Sequence, residues 1–212
     1  MATDASHPLR IIGRASSINV RKVLWTCDEL GLAWIREDAG FGPKPTPDFL
    51  AMNPNGFVPV VVDEAGPLWE SNTICRYLAA KLERTDLLPQ KPRQRAEVEQ
   101  WMDWQATDLN AAWTYAFQAK VRCNPLFQDE TLIAQSLAAW NGKMQILDQR
   151  LALTGAYVVG DRFTLADIVI GLSVNRWLLT PLARPDHPAI AAYCHRLRAR
   201  SACREHCFNG TV

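Results

Sequence analysis

The sequence has no apolar run approaching the roughly 18 residues that a membrane-spanning helix requires. Its longest, Ile168 to Leu172, is interrupted by Gly171 and followed by Asn175 and Arg176. The first eight residues, Met1 to Pro8, are polar and carry no hydrophobic stretch, so nothing there reads as a secretory signal, and a cytosolic location is the expectation. Charge of one sign is also lacking: 23 basic against 22 acidic residues leave a net charge of +1. A broad electrostatic field for nucleic acid or for an anionic membrane is therefore not expected. There is no internal repeat, no low-complexity tract and no C-x-x-C pair. The six cysteines (Cys27, Cys75, Cys123, Cys194, Cys203 and Cys207) are scattered and match no usual zinc spacing. Free buried thiols and no metal are the expectation.

What is present is an ordinary globular composition, 48% hydrophobic and 21% charged over 212 residues, enough for one large or two small domains. Two textures divide the chain. Residues 9 to 84 alternate short apolar runs with helical patterns. Beyond residue 93 nearly everything repeats with a helical period. Between them a polar stretch with Pro89 and Pro92 reads as a linker. The expected organisation is an α/β domain over residues 1–84, a linker over 85–93 and an all-helical domain over 94–212.

In the first part, Leu9–Ile12 predicts a strand, and Val20, Val23, Leu24, Cys27 and Leu30 form one face of a helix that Gly31 ends. Residues 33–37 predict a second strand. Gly40 to Pro47, rich in proline, predicts a loop, and Asp48 to Met52 a helical turn. Residues 58–63 and 67–69 predict paired strands, and a helix follows from Ser71. The order is βαβαββα, a sheet covered by helices. The second part predicts four longer helices. Leu165 to Leu178 is the buried central one, opened by Thr164 as N-cap with Asp167 three residues on and Phe163 and Ile168 at staple positions.

Three segments carry chemistry. Ser17 and Asn19 stand at a strand-to-helix turn, where unpaired N–H groups and the positive dipole end favour an anion; Arg21 and Lys22 in that first turn oppose the dipole unless an anion is present. A hydroxyl there can donate to a thiolate, and the alternative is that Ser17 only caps the helix. In Asn53-Pro-Asn-Gly-Phe-Val-Pro59, Pro59 opens an apolar strand. This places it at an edge or in a cis bond that presents the Val58 backbone to an extended peptide ligand. Glu70 and Ser71 stand at a second strand-to-helix turn, where a carboxylate meets the helix start and an ammonium meets Glu70, as a zwitterionic α-amino acid requires. A plain N-cap is the alternative.

These three segments in this order resemble the glutathione S-transferase family. The match runs essentially end to end and includes Ser17-Ile-Asn19, Glu29-Leu-Gly-Leu32, Asn53-Pro-Asn-Gly56, Val58-Pro59, Trp69-Glu-Ser-Asn72, Trp101-Met-Asp-Trp104 and Thr164-Leu-Ala-Asp167. It is similar to a bacterial branch near the theta-like classes, in which a Ser rather than a Tyr meets the thiol. The resemblance implies a thioredoxin-like domain followed by a helical one, a homodimer with Asp103 near its two-fold interface, and glutathione as co-substrate. It implies Ser17, with Asn19, as the thiol-activating residues. It also implies Val58 before a cis Pro59 as the partner of the cysteinyl part, Glu70 and Ser71 as the γ-glutamyl site, and Lys44 and Phe57 near the glycyl end. Phe57 replaces the polar residue found in many relatives. Trp113, Tyr115, Phe117 and Arg122 are candidates for a pocket that takes a small electrophile, although Trp113 and Phe117 suit core packing better and Arg122 suits a solvated surface as well. A glutathione-dependent disulfide or peroxide reductase and a non-catalytic transferase-like module are the competing readings. The first is disfavoured because Ser16 and Ser17 occupy the turn where a Cys is usual, the second because the whole constellation is present.

Overall fold

A computed structural model describes residues 8–40, 42 and 44–212. The polar start before Pro8, and Phe41 and Pro43 of the expected Gly40–Pro47 loop, lie outside the described residues. The chain runs β1 (Leu9–Ile12), α1 (Ile18–Leu30), β2 (Trp34–Glu37), α2 (Pro47–Met52), β3 (Val60–Asp63), β4 (Gly66–Trp69) and α3 (Ser71–Lys81). It continues with α4 (Pro92–Trp104), a π-helical turn (Gln105–Leu109), α5 (Asn110–Lys120), α6 (Glu130–Thr154), α7 (Leu165–Leu179), α8 (Pro188–Arg198) and α9 (Ser201–His206). The βαβαββα order is as expected.

The four strands form one sheet in the order β2-β1-β3-β4. β1 pairs in parallel with β2, which needs the α1 crossover, and antiparallel with β3, which turns directly into β4. Ile11, Ile12, Val60 and Val61 are buried, so the sheet centre is covered on both faces. The register aligns Ile12 with Val60 and Val60 with Trp69. The end of β1, the start of β3 and the end of β4 therefore meet along one rim.

α1 is buried more completely than its pattern predicts. Val20, Val23, Leu24 and Cys27 face the core as expected, but Arg21, Lys22, Trp25 and Thr26 are buried too. The helix packs against α3 on the sheet side and against α7 and α9 of the helical half on the other. An amphipathic stripe reports one partner; α1 has two.

The expected four-helix second half holds with two changes. α4, the π turn and α5 form one continuous rod. Gln105, Leu109, Trp113 and Phe117 recur every four residues, wider than the 3.6 of an α-helix, and the π turn takes up part of that drift so that all four stay buried. α9, too short to announce itself by period, packs its Ala202 and Cys203 inward against α1.

α7 is the central helix, buried from Leu165 to Trp177. The Asp167 carboxylate accepts from the Thr164 N–H at 2.8 Å, as the N-terminal signature predicts, and from the Val158 N–H at 2.9 Å. The stretch expected as a polar linker packs closely: Leu87 and Leu88 are buried, and the Leu87 carbonyl accepts from the Leu165 N–H at 3.1 Å. Five of the cysteines are buried as expected; Cys123 is exposed, because it stands in the turn after α5 with φ 49°. Among the described residues no helix is long and apolar enough to cross a membrane, and no group of three His, Cys, Asp or Glu side chains is placed to hold a metal ion.

Candidate functional site

The rim where β1, β3 and β4 meet brings the three chemistry-bearing segments together. Ser17 follows β1, Val58-Pro59 precedes β3, and Glu70-Ser71 follows β4. Contacts across the rim are tight. A Cβ on Gly13 would come within 3.0 Å of Val58 Cβ and 2.5 Å of Val20, and a Cβ on Gly40 within 3.3 Å of Val58. Gly13 and Gly40, both at positive φ, thus let the turn after β1 and the loop after β2 close onto Val58. Arg14 donates to the Gly40 carbonyl at 2.5 Å, which ties the same two loops.

Ser17 occupies the N-cap position of α1 with extended backbone, yet its side chain makes no capping hydrogen bond. Its carbonyl accepts the first helical bond, from the Arg21 N–H at 3.0 Å, and its hydroxyl has no hydrogen-bond partner among the described residues. Ser17 thus makes no side-chain cap among the described residues. Asn19, in the first turn, is half-buried.

The Val58–Pro59 bond is cis. β3 begins at Val60, so Val58 lies outside the sheet ladder. Phe57 is 74% exposed, and its carbonyl accepts from Asn53 Nδ2 at 2.7 Å. Lys44 is exposed in the loop before α2.

Glu70 holds φ 71° and ψ 106°, a conformation that costs a non-glycine residue on the order of 1–3 kcal/mol. Its side chain does not cap α3 and is exposed. Ser71, the first residue of α3, is buried at that helix start. A dipole end, a hydroxyl and a free carboxylate are thus adjacent, the donor and acceptor set a zwitterion needs.

Arg21 and Lys22 do not answer an anion at the start of α1. Both are 2% exposed and turn into the interior. Lys22 Nζ donates to Asn72 Oδ1 at 3.1 Å and to Gln105 Oε1 at 2.7 Å. Burial pulls its pKa down to about 8, against the opposing pull of Cys75 and Glu70. Gln105 Nε2 donates in turn to Asn110 Oδ1 at 3.0 Å, which also accepts from Trp113 Nε1 at 3.1 Å. A continuous polar chain thus runs from Asn72, beside Ser71, to Trp113 on α5. Sequence reading missed Lys22, Asn72, Gln105 and Asn110 as a set, since nothing local shows that they meet.

Trp113 and Phe117 are buried, with ring centroids 5.3 Å apart. Arg122 is exposed and lies over the Phe117 ring at 5.3 Å. Tyr115 stacks instead against Phe127 at 5.0 Å. Trp101 and Trp104 pack edge to face at 5.2 Å, and Asp103 pairs with Arg76.

Comparison with known proteins places this geometry in context. The family model for the glutathione S-transferase N-terminal domain matches residues 16–81, and that for the C-terminal domain matches residues 105–201. The chain is 37% identical over 197 residues to glutathione S-transferase GstB of Escherichia coli, covering 91% of this chain and 94% of that protein. It is 34% identical over 195 residues to glutathione S-transferase 3 of Zea mays, covering 87% and 83%. Among solved structures, the theta class glutathione S-transferase of Xanthomonas axonopodis pv. citri with glutathione bound superposes with a TM-score of 0.86 at 37% identity, over 94% of this chain and 97% of that one.

Proposed function

The chain belongs to the glutathione S-transferase family, and from that premise we propose that Ser17 activates glutathione as a thiolate for transfer to a small electrophile. The observation that carries this reading is the convergence on one rim of a Ser17 hydroxyl that does not cap its helix, a Val58 backbone outside the strand ladder and the Glu70-Ser71 pair.

A free thiol titrates near 8.5, so only a few per cent is ionised at neutral pH. Lowering that by about two units requires roughly 2.7 kcal/mol of preference for the thiolate. One hydrogen bond to a charged group supplies about 1.5–3 kcal/mol, and the start of α1 adds a favourable dipole. The Ser17 hydroxyl is therefore sufficient in size, with Asn19 as a second donor or as its positioner. Val58 offers its N–H and C=O to the cysteinyl residue. Glu70 takes the γ-glutamyl ammonium, and Ser71 with the α3 N–H groups takes its carboxylate. Lys44 and the Phe57 backbone stand where the glycyl carboxylate ends. The thiolate then attacks an electrophilic carbon on the side of the site lined by Trp113, Phe117 and Arg122.

The same reading makes the protein a cytosolic homodimer acting in detoxification. Its support is the family membership and, for the dimer, the exposed Phe57 side chain beside the rim. Calorimetry with glutathione, followed by ultraviolet titration of the bound thiolate, tests the proposal. Uptake with a thiol pKa lowered by one unit or more is expected; no uptake at millimolar glutathione removes the transferase reading.

A further inference from the structure

α7 is apolar on nearly every side, yet it carries an arginine. Arg176 is 4% exposed, and its Nε has no hydrogen-bond partner among the described residues. The guanidinium lies over two ring faces, 4.2 Å from the Phe117 centroid and 4.5 Å from that of Trp113. The charged groups acting on it are Arg21 and Arg122, both cations, and burial together with their repulsion draws its pKa down to about 9, still protonated at neutral pH. Arg21 is equally sealed. Its Nη1 donates to the Thr211 carbonyl at 2.9 Å, while its Nε and Nη2 have no partner among the described residues. Lys22, the third buried cation, feels Arg176 as well.

An unpaired buried charge is strongly unfavourable, and ring faces compensate only part of that. Lys22 is held by Asn72 and Gln105, but Arg176 also feels the repulsion of Arg21 and Arg122, and one anion beside its guanidinium would offset both that and its burial. The position of the cluster says which anion. Phe117 has both Arg176 and Arg122 over its ring, at 4.2 and 5.3 Å from the centroid. Through the Phe117 and Trp113 rings that it covers, Arg176 stands on the side of the site where the proposed function puts the electrophile.

We infer that this site takes an electrophile bearing an anionic group, a carboxylate being the matched form, with Arg176 as its counter-ion and the Trp113 and Phe117 rings fixing the guanidinium plane. The planar fork of an arginine pairs with a carboxylate through two parallel hydrogen bonds, which a lysine does not reproduce. With an aryl halide acceptor, the glutathione sulfur forms a bond to the ring carbon. The carbon–halogen bond then breaks, the halide leaves with its electron pair, and the thiol proton passes to solvent. The carboxylate itself is unchanged and serves only to hold and orient the ring. Arg176 is a specificity-determining residue in this scheme, which rests on the transferase reading above.

The test compares a chlorodinitrobenzoate with the corresponding chlorodinitrobenzamide, two acceptors of equal shape and different charge. For each, kcat/KM at saturating glutathione is divided by its uncatalysed rate. The intact chain should favour the carboxylate by tenfold or more. Arg176→Met should lower the carboxylate value by about tenfold to a hundredfold and leave the amide within about threefold. As a measurement that needs no variant, dinitrobenzoate should compete with the acceptor at least tenfold more tightly than dinitrobenzamide. Equal handling of the two by the intact chain, or an equal loss of both in Arg176→Met, overturns the inference. If glutathione binds and the amide turns over without charge preference, only this inference falls; if glutathione does not bind, the transferase reading falls with it.

Discussion

Lys22 Nζ donates to Gln105 Oε1 at 2.7 Å, joining α1 of the sheet half to the π turn of the helical half. The same ammonium holds Asn72 beside Ser71, so one buried charge spans the two halves at the level of the proposed site. Its stability consequence has a definite sign. Burial places the folded-state pKa at about 8, below the 10.5 of a free lysine. Between these values the unfolded chain binds more protons, so stability rises with pH across that window. The burial penalty is fully present below pH 8 and is relieved toward pH 10.5. Measured against Lys22→Met by urea unfolding, the intact chain should gain on the order of 3 kcal/mol over this window. A pH-independent difference would mean that Lys22 is not buried as a charge.

Ser17→Ala should raise the pKa of the bound glutathione thiol by about one to two units, the worth of one charge-assisted hydrogen bond. Affinity for glutathione should change little, because Ser17 favours only the ionised sulfur. Ultraviolet titration of the thiolate reads this directly. An unchanged titration would transfer the role to Asn19 or to backbone donors of α1.

Ser71→Ala should weaken glutathione binding about tenfold to a hundredfold by calorimetry, as expected for a lost bond to a carboxylate. Cysteinylglycine, which lacks the γ-glutamyl residue, should bind the variant and the intact chain alike. Equal weakening of both ligands would show that Ser71 acts on the fold rather than on that end of the tripeptide.

Asp167 belongs to folding rather than to chemistry. Burial pushes its carboxyl up to about 6, although it accepts from Val158 and Thr164 N–H groups and from the Tyr193 hydroxyl. Asp167→Ala leaves these donors unpaired inside the protein and should cost about 3–5 kcal/mol. The urea midpoint should fall at constant slope, with glutathione affinity of the folded fraction retained. A loss below about 1 kcal/mol would show that water replaces the carboxylate there.

Much of the sheet half was legible because its signals are local. Strand runs, the Gly31 stop and the turn residues depend on a few neighbours in the chain, and the observed elements follow them within two residues at most boundaries. The start of α7 was legible for the same reason, as Thr164 and Asp167 meet across a single turn. The π turn was not legible: Gln105, Leu109, Trp113 and Phe117 read as ordinary helical spacing, and only the structure shows the turn that keeps them in line.

The sequence by itself determined the order of elements, the family signature and the three segments that carry chemistry, because each is written within one turn or one strand. Only the tertiary structure decided that Arg21 and Lys22 turn inward, that α9 covers α1, and that Arg176 stands unpaired over Phe117 and Trp113. Side-chain burial on a second face is set by a partner far along the chain, and no local period encodes it. Ser17 shows both sides of this division: its place at a helix start could be read from sequence, but only the structure shows that its hydroxyl makes no capping bond there.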